Sequence, residues 1–477
     1  MKNIITYLLT GVLLITSYSC DKQLSALPEN ARVDGTAIID QQTAQTALNG
    51  VYSRLANISS DNITQWTNHA VYPAFFSGHL GYGFGSFPEE ENMYQQGLEQ
   101  MFWPEFYSVI NSANGVINTV ESLADNKFSD NRKKEIIGES KFLRAYNHFR
   151  LLCFFGEWYK ADSKFGALIR DELSSLGNIP KKRSTVEESY EFILDDLDYA
   201  IENAPAVNPS HYVTKWAAMV LKMKVLLTRG TQADLTAAIT IANNIIQSSP
   251  YVLENNAKDI FYVKGLSSQE VILGVMPQAD QETYHYILSR QFYPGASSMY
   301  CAKKALKDLF PVGDPRGSWV IGPLTPYQAY SPNTSWFTKF IAVGGSPTQV
   351  SETRYILRLT EVYLMKAEAI IRSGGSLSDA RTIIKNIMSK AGVTDFSAVD
   401  NATTANALLV ENYYETVRSM VGEDGIEWMA LLRLPFDTVK LIRPTITSQV
   451  QYILPIPSTE LKNNPLFGDQ NPGYQQF

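Results

Sequence analysis

The stretch TKWAAMVLKMKVLLTRGTQADLTAAITIANNIIQ, residues 214–247, decides the fold. Thr214 to Arg229 carries apolar residues at helical spacing and is closed by Gly230. Asp234 to Gln247 repeats that spacing and is closed by Ser248-Ser249-Pro250. The turn between them is short, so the two helices run antiparallel, and Ala217, Ala218, Ala237, Ala238 and Ala242 allow close approach. The pattern returns near the C-terminus. There Arg354 to Arg372 reads as one helix, Gly374-Gly375 as a turn, and Leu377 to Lys390 as a second helix ended by Gly392, with small residues at Ala367, Ala369 and Ala380. Helix pairs of about 34 residues with small contact residues mark tetratricopeptide-like stacking. The predicted class is mainly α: a tetratricopeptide-like right-handed helical superhelix with a loop-rich, mixed binding region containing short β-strands.

Upstream, Pro104 to Leu123 reads as a helix with Phe106, Val109, Ile110, Ala113, Ile117 and Val120 on one face and Pro104 in its first turn. A second runs from about Asn131 to Phe155 and ends at Gly156. A third opens on Ser184, which with Glu187 fits a capping box, and stops before Pro205. Two stretches differ in character. Ser59 to Met101 is rich in Gly and aromatics, and Asn255 to Thr353 mixes turns with strand-like runs such as Glu270 to Met276. Loops of this length inside a compact protein are usually functional or disordered, and their aromatic content argues against disorder.

The N-terminus has Lys2, an apolar run from Ile4 to Ile15 interrupted by Thr6, Tyr7, Thr10 and Gly11, and then Ser17-Tyr18-Ser19-Cys20. A basic start, about a dozen apolar residues and a small-residue cleavage site make a secretory signal too short to span a bilayer. A Cys directly after such a site is a lipidation candidate, so Cys20 reads as an anchor. The alternative is an ordinary signal peptide in which Cys20 is incidental, and Ser17, where lipoprotein signals usually carry Leu, favours it.

Composition narrows the chemistry. A net charge of −7 argues against nucleic acid or anionic-lipid partners. Past the leader only Cys153 and Cys301 carry thiols, and Cys153 sits in the apolar run Leu151-Leu152-Cys153-Phe154-Phe155, so a buried free thiol is expected there. The five His residues, His69, His79, His148, His211 and His285, fall at no metal-ligand spacing. No phosphate loop follows a strand and no nucleophile elbow is present, so neither cofactor, metal nor catalytic activity is expected; a glycosidase's two carboxylates need no local motif and stay open.

A binding role fits the residues better. Tyr is the commonest aromatic at 26, ahead of 22 Phe and 7 Trp. Sugars offer apolar ring faces rimmed by hydroxyls, for which aromatic planes flanked by polar groups are the matching surface. The first loop supplies Trp66, Asn68, Tyr72 and Tyr82, and the second Tyr284, Tyr286, Arg290, Phe292, Tyr293, Tyr327, Tyr330 and Trp336. For any one of these, packing under a long loop is the competing reading. Trp103 and His148 read as packing residues.

The segment Gly138-Glu139-Ser140-Lys141-Phe142-Leu143-Arg144-Ala145-Tyr146, running to Phe155-Gly156, resembles the "GEakfLRAy…fG" signature of the SusD/RagB family of outer-membrane nutrient-uptake lipoproteins. Ser184 to Pro205 and Tyr355 to Ala369 are similar to two more of its helices. Leu454-Pro455-Ile456-Pro457, Asn464-Pro465 and Gln470-Asn471-Pro472-Gly473-Tyr474 are similar to its tail. In the stretch Asp424 to Arg433, Glu427 and Ala430 stand where the family usually has Arg and Asp, which implies a changed internal salt bridge. Glu139 with Arg144, and Arg358 with Glu361, are expected as charge pairs of the scaffold.

The resemblance implies a surface lipoprotein, anchored in the outer membrane through Cys20, that captures an oligosaccharide without catalysis. It would pass this ligand to a SusC-like TonB-dependent transporter. A peptide ligand, favoured by Glu89-Glu90-Glu91, and a scaffold role without a ligand are the alternatives. The implied organisation is a signal peptide over 1–19, a tether over 20–40 and an N-terminal helical region over 41–254 with its aromatic loop at 59–101. A loop-rich ligand-binding insertion over 255–353 and a C-terminal helical region with tail over 354–477 complete it.

Overall fold

The computed structural model describes residues 37–56, 66–83, 85–94, 98–175, 177–276, 292, 300–322, 334–341 and 348–475. The helix pair read at 214–247 is present as α6 (Lys215–Arg229) and α7 (Gln232–Ser248), with Thr214 and Thr231 as N-caps, each accepting a backbone N–H three residues on. Before this pair lie α1 (Gln41–Ala56), α2 (Trp66–Phe76), α3 (Leu98–Ser122), α4 (Arg132–Phe155) and α5 (Val186–Asn203). After it come α8 (Leu359–Arg372), α9 (Leu377–Lys390), α10 (Ala405–Met420) and α11 (Ile426–Leu432). From α3 to α9 each of these helices packs on the next, and α10 returns onto α8 and α9. One contiguous apolar core runs through the stack.

Three helix boundaries differ from the sequence reading. α3 begins at Leu98, so Pro104 lies inside it, at an exposed position, and the Gln100 carbonyl lacks its helical N–H partner. The capping box of α5 is Thr185 with Glu188, one residue later than expected. Arg354 to Arg358 is a strand rather than the start of a helix. All five of its residues are buried, and a short run buried on every side has no periodicity to separate strand from helix.

The described residues form two small antiparallel sheets. Strand β2 (Val271–Val275) pairs with β5 (Arg354–Arg358), with register irregularities between Val271 and Gly274. Strand β3 (Tyr300–Lys303) is central to the other sheet, flanked by β1 (Leu80–Tyr82) and β4 (Thr334–Trp336).

Gly422-Glu423-Asp424-Gly425, between α10 and α11, ties these parts together. Glu423 accepts from Arg358 Nε at 2.7 Å and from Lys339 Nζ at 2.6 Å. Arg358 also reaches Glu270 at 2.5 Å, and Lys339, 0% exposed, donates to the Ser419 and Val421 carbonyls. Asp424 accepts from Tyr146 Oη at 2.5 Å and Arg150 Nη1 at 2.7 Å, both on α4. Gly425 has φ +71°, and a Cβ there would meet Pro73 of α2 at 2.8 Å, so the turn needs glycine. The expected pairs of Glu139 with Arg144 and Arg358 with Glu361 are not the ones formed. Glu139 pairs with Arg132 at 2.9 Å, Arg144 with Asp196 at 2.7 Å, and Glu361 with Lys224 at 2.9 Å. Cys153 and Cys301 are buried free thiols, and burial pushes the Cys153 thiol up to about 12.

Glu427 and Ala430, the two departures in this stretch, are both buried. Glu427 is 0% exposed and accepts the Gly422 N–H at 3.3 Å. Burial, reinforced by Glu423, pushes its carboxyl up to about 8 against the pull of Lys339.

Two outcomes are expected. Arg358→Ala leaves Glu423 and Glu270 buried without their shared cation and costs about 3–5 kcal/mol, measurable by urea denaturation. Glu427 has a folded pKa above its ordinary 4.5, so between that pH and about 8 the folded protein holds a proton that the unfolded chain has released. Its effect on stability is therefore absent at low pH and increasingly unfavourable up to pH 8. Glu427→Gln should accordingly leave stability unchanged near pH 4.5 and raise it on the order of 1–3 kcal/mol by pH 8.

Candidate functional site

The three-stranded sheet brings the two aromatic loops together. β1 comes from the first, β3 and β4 from the second, with Tyr82 opposite Tyr300 and Cys301 opposite Trp336. α2 ends at Phe76, and the chain enters β1 through Gly78, whose φ is +80°. A Cβ at Gly78 would lie 2.6 Å from Arg443 Nη1, so only glycine lets that guanidinium approach.

Glu90 clasps this region. Its Oε1 accepts the backbone N–H groups of Tyr82 at 2.9 Å and Phe87 at 3.0 Å, and its Oε2 pairs with Lys303 Nζ at 2.7 Å. Its carbonyl accepts from Arg443, which also donates Nε–H to the Phe76 carbonyl at 3.0 Å. Asn92, at φ 54°, donates to the same Phe76 carbonyl at 2.9 Å and accepts from Thr445 at 2.6 Å. Tyr94 donates to the Gln451 carbonyl at 2.7 Å. The result is a shelf of rings: Tyr82 against Phe87 with centroids 4.7 Å apart, Phe87 stacked on Phe75, and Phe75 against both Tyr72 and Tyr300. Tyr72 and Tyr82 are partly exposed at its outer side.

Three carboxylates line the turn at Glu89-Glu90-Glu91. Glu90 is engaged as described and Glu91 is exposed. Glu89 is buried, and desolvation, with neighbouring Glu90 adding to it, holds its carboxyl above the usual range.

The other residues singled out in the sequence are distributed unevenly. Trp66 and Asn68 open α2, but their side chains lie outside the described residues, as do Cys20, Tyr284, Tyr286, Arg290, Tyr293, Tyr327 and Tyr330. Trp336 is a correction: at 4% exposure on β4 its ring is enclosed rather than offered to solvent. Phe292 is likewise core, packed on Phe337 at 5.0 Å. Trp103 and His148 are packing residues as read. His148 accepts the Arg170 N–H, and burial lowers its imidazole to about 3. The nearest approach to an acid–base pair is His69 with Glu105 at 2.9 Å. Burial raises Glu105 to about 9 and lowers His69 well below its usual value, which favours a neutral hydrogen-bonded pair inside the core. Among the described residues no group of three His, Cys, Asp or Glu is placed to hold a metal ion, and no helix is long and apolar enough to cross a membrane.

Lys303 and Arg443 were not singled out from the sequence. Their partners are 213 and 353 residues apart, so no local pattern joins them; only the run of three Glu marked the place.

A family model described as SusD-like, "Starch-binding associating with outer membrane", matches residues 20–227, and one described as "SusD family" matches residues 315–429. A SusD-like protein of Bacteroides ovatus is 25% identical over 426 residues, covering 80% of this chain and 74% of its own. Among solved structures, a SusD superfamily protein of Bacteroides thetaiotaomicron superposes with a TM-score of 0.74 at 21% identity, over 91% of this chain and 100% of its own. A protein of Bacteroides vulgatus described as a putative sugar binding protein superposes with a TM-score of 0.75 at 21% identity, over 92% and 100%.

With Glu90→Ala, the Tyr82 and Phe87 N–H groups lose their acceptor and Lys303 its counter-charge. The expected loss is about 2–4 kcal/mol, with amide hydrogen exchange accelerating first at Tyr82 and Phe87.

Proposed function

We propose, from the premise that this chain belongs to the SusD/RagB family, that it is a surface-exposed carbohydrate-binding protein working beside a TonB-dependent outer-membrane transporter. It binds and does not catalyse. The ligand is an oligosaccharide, captured on the ring shelf around Tyr72 and Tyr82 and delivered intact to the transporter. Trp66, Asn68, Tyr284, Tyr286, Arg290 and Tyr293 are further candidates for contact with the ligand. Cys20 carries the lipid that keeps the protein at the membrane, a reading supported by a family match that begins at residue 20.

The observation that carries this proposal is the pairing of β1 with β3, which joins two aromatic loops more than two hundred residues apart into one shelf with two partly exposed tyrosines. A clasped shelf is preorganised, so little ordering cost opposes ligand capture. Flat rings with hydroxyl edges match the alternating faces and rims of a sugar chain.

Titration calorimetry against oligosaccharide and peptide panels tests this. The protein should bind an oligosaccharide, which mass spectrometry should recover unchanged, and Tyr82→Ala should weaken binding about tenfold, or roughly 1.4 kcal/mol. Binding confined to peptides would replace the ligand class, and cleavage products would contradict a purely binding role.

A further inference from the structure

We propose that the junction of α4, α6, α8 and the turn at Gly422-Glu423-Asp424-Gly425 holds a binding site for two structural water molecules, which complete the ion network there. The site does not rest on the glycan-binding reading above. Three observations carry it.

The first is a cavity. Between Arg150, Cys153, Lys224, Glu361, Asp424 and Arg433, about 30 Å³ is open to the centre of a water molecule. One water needs about 10–15 Å³ on that measure, so two fit, and a sugar or other organic ligand does not.

The second is a pair of unmet polar atoms on residues that line this cavity. Among the described residues, Arg150 Nε and Glu361 Oε2 have no hydrogen-bond partner in the protein, although Arg150 is only 7% exposed and Glu361 2%. Their neighbouring atoms are engaged. Arg150 Nη1 donates to the Asp424 carbonyl and carboxylate, each at 2.7 Å, and Glu361 Oε1 pairs with Lys224 at 2.9 Å. A charged group with an unmet donor or acceptor is costly in the interior. Lys224 reaches Asp424 Oδ2 at 3.5 Å, the long end of a hydrogen bond, where a bridging oxygen shortens the path.

The third is that the two unmet atoms are of opposite kind, an N–H donor and a carboxylate acceptor. An anion would satisfy only the first and a cation only the second. Water both donates and accepts, and being neutral it leaves the balance of cations and carboxylates as it is. An apolar cavity of this size would stay dry, but charged groups line this one. The site lies beneath α2: Arg150 Nη2 reaches the His69 carbonyl at 3.5 Å, so the guanidinium that the waters orient also supports the helix carrying Tyr72.

The test is a high-resolution crystal structure of the native protein grown with sodium bromide, together with magnetic relaxation dispersion of water oxygen on the native protein and on Cys153→Met. The longer side chain places a thioether in the cavity. Native crystals should show two waters, one bonded to Arg150 Nε and one to Glu361 Oε2, with no anomalous bromide peak. The dispersion amplitude should fall by two long-lived waters in Cys153→Met. A cavity with fewer than two waters, a bromide ion in it, or an unchanged amplitude in a folded Cys153→Met overturns the proposal. If Cys153→Met does not fold, the native crystal decides alone.

Discussion

Everything else in this molecule depends on the two adjacent carboxylates of the turn at Gly422-Glu423-Asp424-Gly425. Glu423 faces the strands and the loop-rich region through Arg358 and Lys339, and Asp424 faces the helical stack through Tyr146, Arg150 and Lys224. Such buried ions are stable only as a set, since each charge is tolerated because its counter-charge is within bonding distance. The arrangement specifies geometry more than it adds stability: an apolar turn could fill the same volume, but it would not fix the orientation of α4 against β5. Glu427 lies beside this cluster as an acid that burial keeps protonated, so the cluster's charge balance is closed without it.

The helical scaffold was legible because its information is local. Thr214 and Gly230 mark helix ends within one turn of themselves, and α6 and α7 fall within two residues of the boundaries read from the sequence. Arg354 to Arg358 departs from its helical reading for the converse reason: its strand character comes from β2, some eighty residues away, and all five residues are buried. The charge pairs failed in the same way. Glu139 and Arg144 have near-helical spacing, but Arg132 on the same helix and Asp196 on the next offered closer partners.

The site was half legible. Aromatic richness marks the two segments that β1, β3 and β4 join, because flat rings with polar edges leave a compositional trace. It could not sort the rings by role: Tyr72 and Tyr82 reach the surface, whereas Trp336 and Phe292 are consumed by the core beneath them. Ring identity is the same in both cases, and only the third dimension distinguishes them. The clasp at Glu90 left no trace of its own, since the residues that define it approach from three distant parts of the chain.

That clasp has a consequence for how the protein comes into being. β1 emerges early in the chain, with its edge groups unpaired, and finds its partner β3 only after some two hundred further residues. Arg443, Thr445 and Gln451, which secure the turn after it, come later still. Contacts of such sequence separation form slowly, because a long loop must close before any of them is rewarded. The helical stack can assemble turn by turn, but the shelf cannot. Recognition is therefore the last property the chain acquires, and a product cut short before the C-terminal segment carries every aromatic ring of the shelf without the shelf itself.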